Sequence, residues 1–269
     1  MKKVIFQLLV IIALFLSTWL LLSRIDFVGM FRLKQRIEVN EKKLGDFIWR
    51  TYVQQEALIQ DTALTEPVQT IFRKLCSANK LDTANLDLYV VHNTEVNAFA
   101  FPGNRLVVYT GLISACSNAE ELAGVLAHEL AHVQKQHVMK KLSKEIGIGI
   151  LAILTSKGGN SEIMRQIIRT ISSAAYDRSL EAEADETAVD YLCTAGIDTA
   201  PLAHFFLRLS QKNASPGAFY WMSTHPELKE RAAAVLKKQQ TARCKLQLLM
   251  PDLQWNKLQH ALGNSRSGK

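Results

Sequence analysis

The 269-residue sequence contains only four cysteines, and none of them lies close to another. The absence of a CxxC pair or knuckle-like spacing excludes a cysteine-ligated zinc site. Disulfides in an oxidising compartment and buried unpaired thiols both stay open. The sequence also lacks internal repeats, long low-complexity tracts and basic motifs interleaved with aromatics. Its net charge of +7 therefore indicates a basic surface with some membrane affinity and no nucleic-acid partner. With 48% hydrophobic residues, the chain is expected to form one sizeable core.

A hydrophobic segment stands at the N-terminus. Residues 4–22 are 19 positions without a charge, which roughly span a hydrocarbon core of about 30 Å. No small-x-small cleavage site and no lipobox cysteine accompany the segment, so we predict a retained membrane anchor over residues 1–23 and not a removed signal peptide. Lys2 and Lys3 favour a cytoplasmic N-terminus, but four basic residues between positions 24 and 36 favour the reverse. The charge rule leaves the orientation open.

The rest of the chain divides into three parts. Residues 24–63 form a juxtamembrane helical segment, residues 64–240 form the main domain, and residues 241–269 form a weakly helical tail that is predicted to be disordered from Gly263. The apolar stripe of the juxtamembrane segment consists of Leu44, Ile48, Tyr52 and Leu58.

The main domain reads as α+β and mainly α. Three extended runs, Leu86–Val91, Glu95–Phe101 and Arg105–Thr110, predict a small sheet, antiparallel at the hairpin that Pro102-Gly103-Asn104 closes. Two helices are predicted to start at prolines, at Thr65-Glu66-Pro67 and at Pro201, and a third at the capping box Ser117–Glu120. Three further helices are predicted over Ile146–Leu154, from Ser161 through Ile171, and from Arg178 to Thr194, where Gly196 ends the last one.

One pentapeptide carries the chemistry: His128-Glu129-Leu130-Ala131-His132. Histidines four residues apart share one face of a helix, which lets both bind the same zinc ion. Glu129 lies beside the metal and would act as the general base that takes a proton from zinc-bound water, whose pKa the metal lowers to about 7. We expect one zinc ion per chain.

A catalytic zinc ion needs a third protein ligand and an open position. Glu181 is the best candidate because it lies on a separate helix that carries few other suitable side chains. Asp185, one turn later, is placed to accept the free N–H of a ligating imidazole. Glu183 is the rival ligand, and it points about 200° away from Glu181 on a helix, so both cannot face the metal.

Two further residues are candidates on chemical grounds. His225 stands before Pro226, which favours an extended backbone, so its imidazole projects from a loop and could stabilise the oxyanion. Arg231 follows in the next helix and could brace the region. His137 lies off the ligand face and is interpreted as a residue behind the ligands or in solvent.

Four motifs in order resemble one enzyme family. His128–His132 with His137, Arg178 to Asp185, Thr224-His225-Pro226 with Arg231, and the strand region from Asn97 to Leu112 are similar to membrane-associated zinc metallopeptidases of the HtpX and CAAX-prenyl-protease type. The resemblance covers about residues 65–235 and is closest to the bacterial periplasmic BepA-like and LoiP-like branch.

The resemblance implies a gluzincin fold and a site. Glu181 would be the third zinc ligand and Asp185 its outer partner, and His225 would be an active-site histidine able to coordinate zinc itself and hold the enzyme latent. The sheet edge at Asn97, Ala98 and Phe99 would receive the substrate as an added strand. The branch also implies an inner-membrane location with the catalytic domain in the periplasm.

Two functions follow. The first is a membrane-anchored zinc metalloendopeptidase that hydrolyses misfolded or misassembled envelope proteins. The alternative is a zinc-stabilised, latent, chaperone-like binding module with little turnover, in which His225 closes the open coordination position.

Overall fold

The computed structural model describes residues 3, 7, 10–12, 14–15, 33–147, 161–211, 218–242 and 244–267. Residues 1–40 and 41–269 are two compact units, and every predicted site residue belongs to the second. The described helices are α1 (Leu33–Val53), α2 (Thr62–Ala78), α3 (Thr110–Ala115), α4 (Ala119–Gln134), α5 (His137–Glu145), α6 (Ser161–Ser173), α7 (Arg178–Thr194), α8 (Ala200–Leu209), α9 (Ala218–Thr224), α10 (Leu228–Thr241) and α11 (Asp252–Ser267). The strands are β1 (Asp87–Val91), β2 (Ala98–Phe101) and β3 (Arg105–Tyr109). A mainly helical α+β fold with a small sheet is therefore confirmed.

The predicted membrane anchor, residues 4–22, lies largely outside the described residues. Among the residues that are described, no helix has both the length and the apolar character needed to cross a bilayer. The anchor stays a prediction. So does the apolar helix at 146–154, of which only residues 146 and 147 are described.

The three strands form a mixed sheet in the order β1-β3-β2. β1 is parallel to β3, whereas β2 pairs with β3 in the antiparallel sense that the hairpin predicted. Gly103 and Asn104 turn the chain with φ angles of +80° and +60°, a left-handed conformation that glycine and asparagine tolerate best. The arrangement leaves β2 at an edge of the sheet.

Two predicted helix limits were wrong. α2 begins at Thr62 and not at Thr65–Pro67, because Asp61 caps it by accepting the N–H of Ala63 at 2.9 Å. Pro67 is consequently inside the helix. Leu58 does not belong to α1, since it forms an isolated bridge with Val91, while the other three residues of the predicted stripe are buried in the core.

The start of α4 is shifted by one residue from the predicted capping box. Asn118 is the cap and accepts the N–H of Glu121 at 2.8 Å, while Glu121 accepts the N–H of Ser117 at 2.7 Å. Arg208 on α8 pairs with the same carboxylate at 2.5 Å, which fixes this register and ties α8 to the beginning of α4.

Helix α4 runs through the middle of the core, with residues 121–133 all buried. α7 makes its most extensive contact with α4, and α8 packs on α4 as well. Gly124 permits that approach, because a Cβ at this position would lie only 2.8 Å from the Cβ of Leu202. α7 ends at Thr194 before Gly196, as predicted. The crossing of α4 and α7 is what brings residues from two distant parts of the sequence together.

The C-terminal part of the chain is more ordered than the sequence suggested. α11 continues to Ser267 and buries Trp255, Leu258 and Leu262 against the core, so the predicted disorder of residues 263–267 was wrong. A disulfide joins Cys193, at the end of α7, to Cys244. The other two cysteines are free and buried.

Candidate metal centre

His128 and His132 lie one turn apart on the same face of α4. Both side chains are fully buried, and their Nε2 atoms are 3.0 Å apart. Burial, above all, holds the pKa of His132 well below its ordinary value, so its imidazole is neutral and carries a free lone pair. Two ring nitrogens this close together need a shared cation or proton between them.

Glu181 approaches from α7. Its Oε2 is 3.6 Å from Nε2 of His128, and its Oε1 is 3.4 Å from Nε2 of His132. The rival Glu183 is 42% exposed on its side chain and pairs with His137 and Lys135 instead. The structure therefore brings Glu181 to the two histidines and directs Glu183 away from them.

His225 completes the group. It follows α9 directly, and its Nδ1 lies 3.0 Å from Oε1 of Glu181 and 3.4 Å from Nε2 of His128. Four residues, His128, His132, Glu181 and His225, each have one donor atom within 4.8 Å of the donor atoms of the other three. Burial lowers the pKa of His225 to about 4, so this imidazole is neutral too.

The donor set fits a tetrahedral zinc ion. Zinc–nitrogen and zinc–oxygen bonds of about 2.0–2.2 Å place tetrahedral ligands about 3.3–3.6 Å apart. Five of the six pairs of donor residues have donor atoms 3.0 to 3.6 Å apart, and all four donor atoms lie within 4.8 Å of one another. Imidazole nitrogens and carboxylate oxygens are also ligand types that zinc prefers. If His128, His132 and Glu181 held a zinc ion, His225 would stand where a catalytic site keeps a position for water.

A second set of side chains contacts the donor residues from behind. Oδ1 of Asp185 lies 2.9 Å from Nδ1 of His128, the partner that the sequence predicted. Arg231 donates from Nε and from one terminal nitrogen to the two oxygens of Asp185, both at 2.7 Å, and its other terminal nitrogen pairs with Glu181. Burial alone would raise the pKa of Glu181, but His225 and Arg231 together hold it well below its ordinary value. Arg231 thus serves the metal site through both carboxylates.

His132 has a corresponding partner on its other ring nitrogen. Its Nδ1 lies 3.0 Å from Nδ1 of His137, whose Nε2 is 3.3 Å from Glu183. His137 is fully buried. Of the two sequence-based interpretations, behind the ligands or in solvent, the structure places His137 behind a ligand.

Glu129 is fully buried beside the donor set. Its Oε2 accepts the backbone N–H of Ala100 in β2 at 3.0 Å, and its Oε1 lies 3.5 Å from Nε2 of His225. Burial, followed by the negative charge of Glu181, raises the pKa of Glu129 well above its ordinary value, although the N–H of Ala100 opposes this. Glu129 is thus a buried carboxylate of raised pKa that lies outside the donor set and next to His225.

The strand that was predicted to bind the substrate lies at an edge of the sheet, and its residues differ in orientation. The backbone of Asn97 pairs with Tyr109 of β3, and in an antiparallel ladder alternate residues then face the partner strand. Asn97 and Phe99 therefore direct their main-chain groups towards β3, and Ala98 and Ala100 direct theirs to the edge. The amide of Asn97 donates to the carbonyl of Ser172 in α6 at 3.0 Å, so α6 covers this edge.

Several buried polar atoms at the site lack a hydrogen-bond partner among the described residues. They are Oδ1 of Asn97, Oε1 of Glu129, the hydroxyl of Tyr176, Nε1 of Trp221 and Nη1 of Arg231, of which the last still forms an ion pair with Glu181. Orphaned polar atoms are rare in native cores and are often explained by a missing ion, water or ligand. Sequence reasoning missed Tyr176, Trp221 and the buried Lys141, whose positions have no spacing signal that relates them to the motif helix.

A cavity of about 770 Å³ lies on the other side of the ligands, between α7 and α10. Glu181, Asp185 and Arg231 form part of its wall, whereas Glu129 and β2 do not. It is therefore distinct from the covered edge of β2.

Comparison with known proteins agrees with this geometry. The family model of peptidase family M48 matches residues 62–239. The beta-barrel assembly-enhancing protease of Yersinia pestis is 29% identical over 186 residues, which cover 64% of this chain and 38% of that protein. The protein of that name from Escherichia coli K12 is 27% identical over 207 residues, or 72% and 42% of the two chains.

A mitochondrial relative matches over a similar span. The mitochondrial metalloendopeptidase OMA1 of Arabidopsis thaliana is 24% identical over 196 residues, which cover 71% of this chain and 39% of that protein. The match with each of these three relatives spans about two fifths of the relative's length. Because the family model covers most of the chain, including all residues of the metal centre, the chain belongs to peptidase family M48 and is a metallopeptidase of the type related to the beta-barrel assembly-enhancing proteases.

Proposed function

We propose that this chain is a membrane-anchored zinc endopeptidase that hydrolyses peptide bonds in misfolded or misassembled proteins of the bacterial envelope. The observation that carries the proposal is the convergence of four buried donor atoms, from His128, His132, Glu181 and His225, within 4.8 Å, with Glu129 beside them. The name of the bacterial relatives, beta-barrel assembly-enhancing protease, supports the substrate class.

Each site residue has a separate role in the proposed reaction. His128, His132 and Glu181 hold the zinc ion, which when bound polarises the scissile carbonyl and makes water acidic. Glu129 takes a proton from the attacking water and returns it to the leaving amine. Its second oxygen is held by the N–H of Ala100, so the general base is positioned by the strand that binds the substrate.

Substrate binding uses the main-chain groups of β2 that face away from β3. A peptide added to this edge pairs with Ala98 and with the carbonyl of Ala100, because the N–H of Ala100 is already engaged by Glu129. α6 must move for this pairing, since it contacts β2 through the hydrogen bond between Asn97 and Ser172.

Two observations support a location in the bacterial envelope. The uncharged segment at residues 4–22 is long enough for a single membrane span. The disulfide between Cys193 and Cys244 suits an oxidising compartment such as the periplasm. A C-terminal alkaline phosphatase fusion, which is active only outside the cytoplasm, tests the orientation.

In the proposed enzyme, His225 acts as a latch that blocks the coordination position of the attacking water. Its Nδ1 takes the corner that the reaction needs, so the described state is closed, and the enzyme works only when the imidazole moves away. An active minor state is commonly about 0.1–10% populated. Removal of the latch should therefore raise turnover at least about tenfold.

We expect His225→Ala to cleave casein faster than the wild type, with unchanged zinc content. His204→Ala, which alters an exposed histidine of α8, is the matched control and should leave the rate unchanged. A slower His225→Ala enzyme would show that the imidazole contributes to catalysis and not to latency. The assay is release of acid-soluble peptides from casein.

The alternative function, a latent chaperone-like binding module, has one observation in its favour: each of the four donor residues is at most 1% exposed. The same assay separates the two functions. If neither protein cleaves casein while both still bind unfolded clients, the binding module is correct and the endopeptidase proposal is wrong.

A further inference from the structure

Tyr176 lies in the short connection between α6 and α7. Its side chain is buried, yet its hydroxyl has no hydrogen-bond partner among the residues that the structure describes. A buried hydroxyl without a partner costs free energy that phenylalanine would not cost at the same position. The ring alone therefore does not explain a tyrosine here.

Contacts on several sides fix the ring of Tyr176. It stacks on the ring of His132 with centroids 4.0 Å apart and an angle of 23° between the planes. The ammonium of Lys141 lies 4.1 Å from its centroid, a cation–π contact, and the backbone N–H of Tyr176 donates to the carbonyl of Thr224 at 3.3 Å. Contacts of the ring and the backbone therefore fix the position of the hydroxyl, and none of them is a hydrogen bond to the hydroxyl itself.

The ring of Tyr176 lies beside the donor set. It stacks on a residue of the donor set and lies 5.9 Å from the ring of His225. A phenol hydroxyl can donate a hydrogen bond, and this hydroxyl belongs to a buried ring that packs directly on the donor set.

Hydrolysis of a peptide bond develops negative charge on the carbonyl oxygen, and an enzyme gains most from a preorganised donor aimed at that charge. We propose that Tyr176 is a catalytic residue whose hydroxyl donates a hydrogen bond to this oxyanion. The inference rests on the proposed endopeptidase function and assigns a residue to its transition state.

Trp221 is the rival donor, since its Nε1 also lacks a partner. Its ring stacks on His225 at 4.1 Å, so it contacts the residue that must leave the open corner. Tyr176 stacks instead on His132, which stays in place throughout the reaction. Tyr176 is therefore the donor whose stacking partner does not have to move for the site to open.

The test is Tyr176→Phe in the full-length, zinc-loaded protein. The substitution removes one oxygen and keeps the ring stacked on His132. Loss of one oxyanion donor is expected to lower kcat by about 10²- to 10³-fold with little change in KM, because the bond forms only in the transition state. Zinc content and thermal stability should not fall. Tyr191→Phe, a half-buried tyrosine at the far end of α7, is the matched control.

Two results overturn the proposal. One is a Tyr176→Phe enzyme with unchanged kcat, and the other is a loss of zinc that accounts for the loss of rate, which would make Tyr176 only a support for His132.

A second measurement covers the case in which the wild type shows no turnover, which would defeat the endopeptidase function itself. A phosphinic peptide carries a tetrahedral anion in place of the scissile bond. Its Kd for the zinc-loaded protein should be at least about tenfold weaker with Tyr176→Phe, on the scale of one oxyanion donor. An equal Kd for the two proteins overturns the role of the hydroxyl.

Discussion

Replacement of Glu129 by glutamine is expected to lower peptide-bond hydrolysis by about 10²- to 10⁴-fold, the range that a positioned general base contributes. Glutamine has the same shape and keeps an oxygen that can accept the N–H of Ala100, so the edge of β2 should stay in place. Zinc should stay bound, because Glu129 is outside the donor set. Initial rates of casein cleavage and the zinc content of the same sample measure both expectations.

Glu120→Gln provides the control for this experiment. Glu120 lies near the start of the same helix and is half-buried, away from the donor atoms. It should retain wild-type activity. Cleavage at the wild-type rate by a zinc-loaded Glu129→Gln protein would show that the base is another residue.

The second large effect concerns stability. Arg231→Met should lower the free energy of unfolding by about 3–5 kcal/mol, because it leaves Asp185 and Glu181 as buried carboxylates without their shared cation. Arg231 is itself only 6% exposed, so water cannot replace it without a rearrangement of α7 and α10. Urea unfolding of the full chain in detergent, followed by tryptophan fluorescence, measures the change.

Two variants separate this buried pair from ordinary surface charge. Arg178→Met removes an arginine whose side chain is 82% exposed and pairs with Glu227, and it should cost no more than about 1 kcal/mol. The double variant Arg231→Met with Asp185→Leu removes both charges and should recover part of the loss. If Arg231→Met unfolds like Arg178→Met, the buried network does not stabilise the fold.

The sequence was most informative about the two helices that carry the metal ligands. The spacing of His128 and His132 fixed a helix face, and Gly196 marked the end of α7 correctly. The need for a third ligand then singled out Glu181, and the structure brings this residue to both histidines. These features are local or follow directly from the coordination chemistry of zinc.

Other features depend on contacts between distant residues. Ser117–Glu120 and Asn118–Glu121 satisfy the capping pattern equally well, and the ion pair with Arg208 favours the second. Tyr176 reaches His132 across 44 positions of sequence, for which no spacing rule exists. Orientation along β2 likewise depends on the register with β3, which hydrophobic alternation in a four-residue strand did not fix.

The wrong prediction of disorder at the C-terminal helix has a different cause. Trp255, Leu258 and Leu262 recur at helical spacing and are buried, so the signal for α11 was present in the sequence. The glycine at position 263 and the polar residues after it suggested disorder, but the packing of α11 on α2 and α3 outweighs their low helix propensity.

The most direct test of this account is the zinc content of the purified full-length protein, measured by inductively coupled plasma mass spectrometry. We predict one zinc ion per chain in the wild type and in Glu183→Ala, and a large loss of zinc in Glu181→Ala. A wild-type protein that is correctly folded but holds no stoichiometric zinc, or a Glu181→Ala protein with unchanged occupancy, would contradict the proposed metal centre.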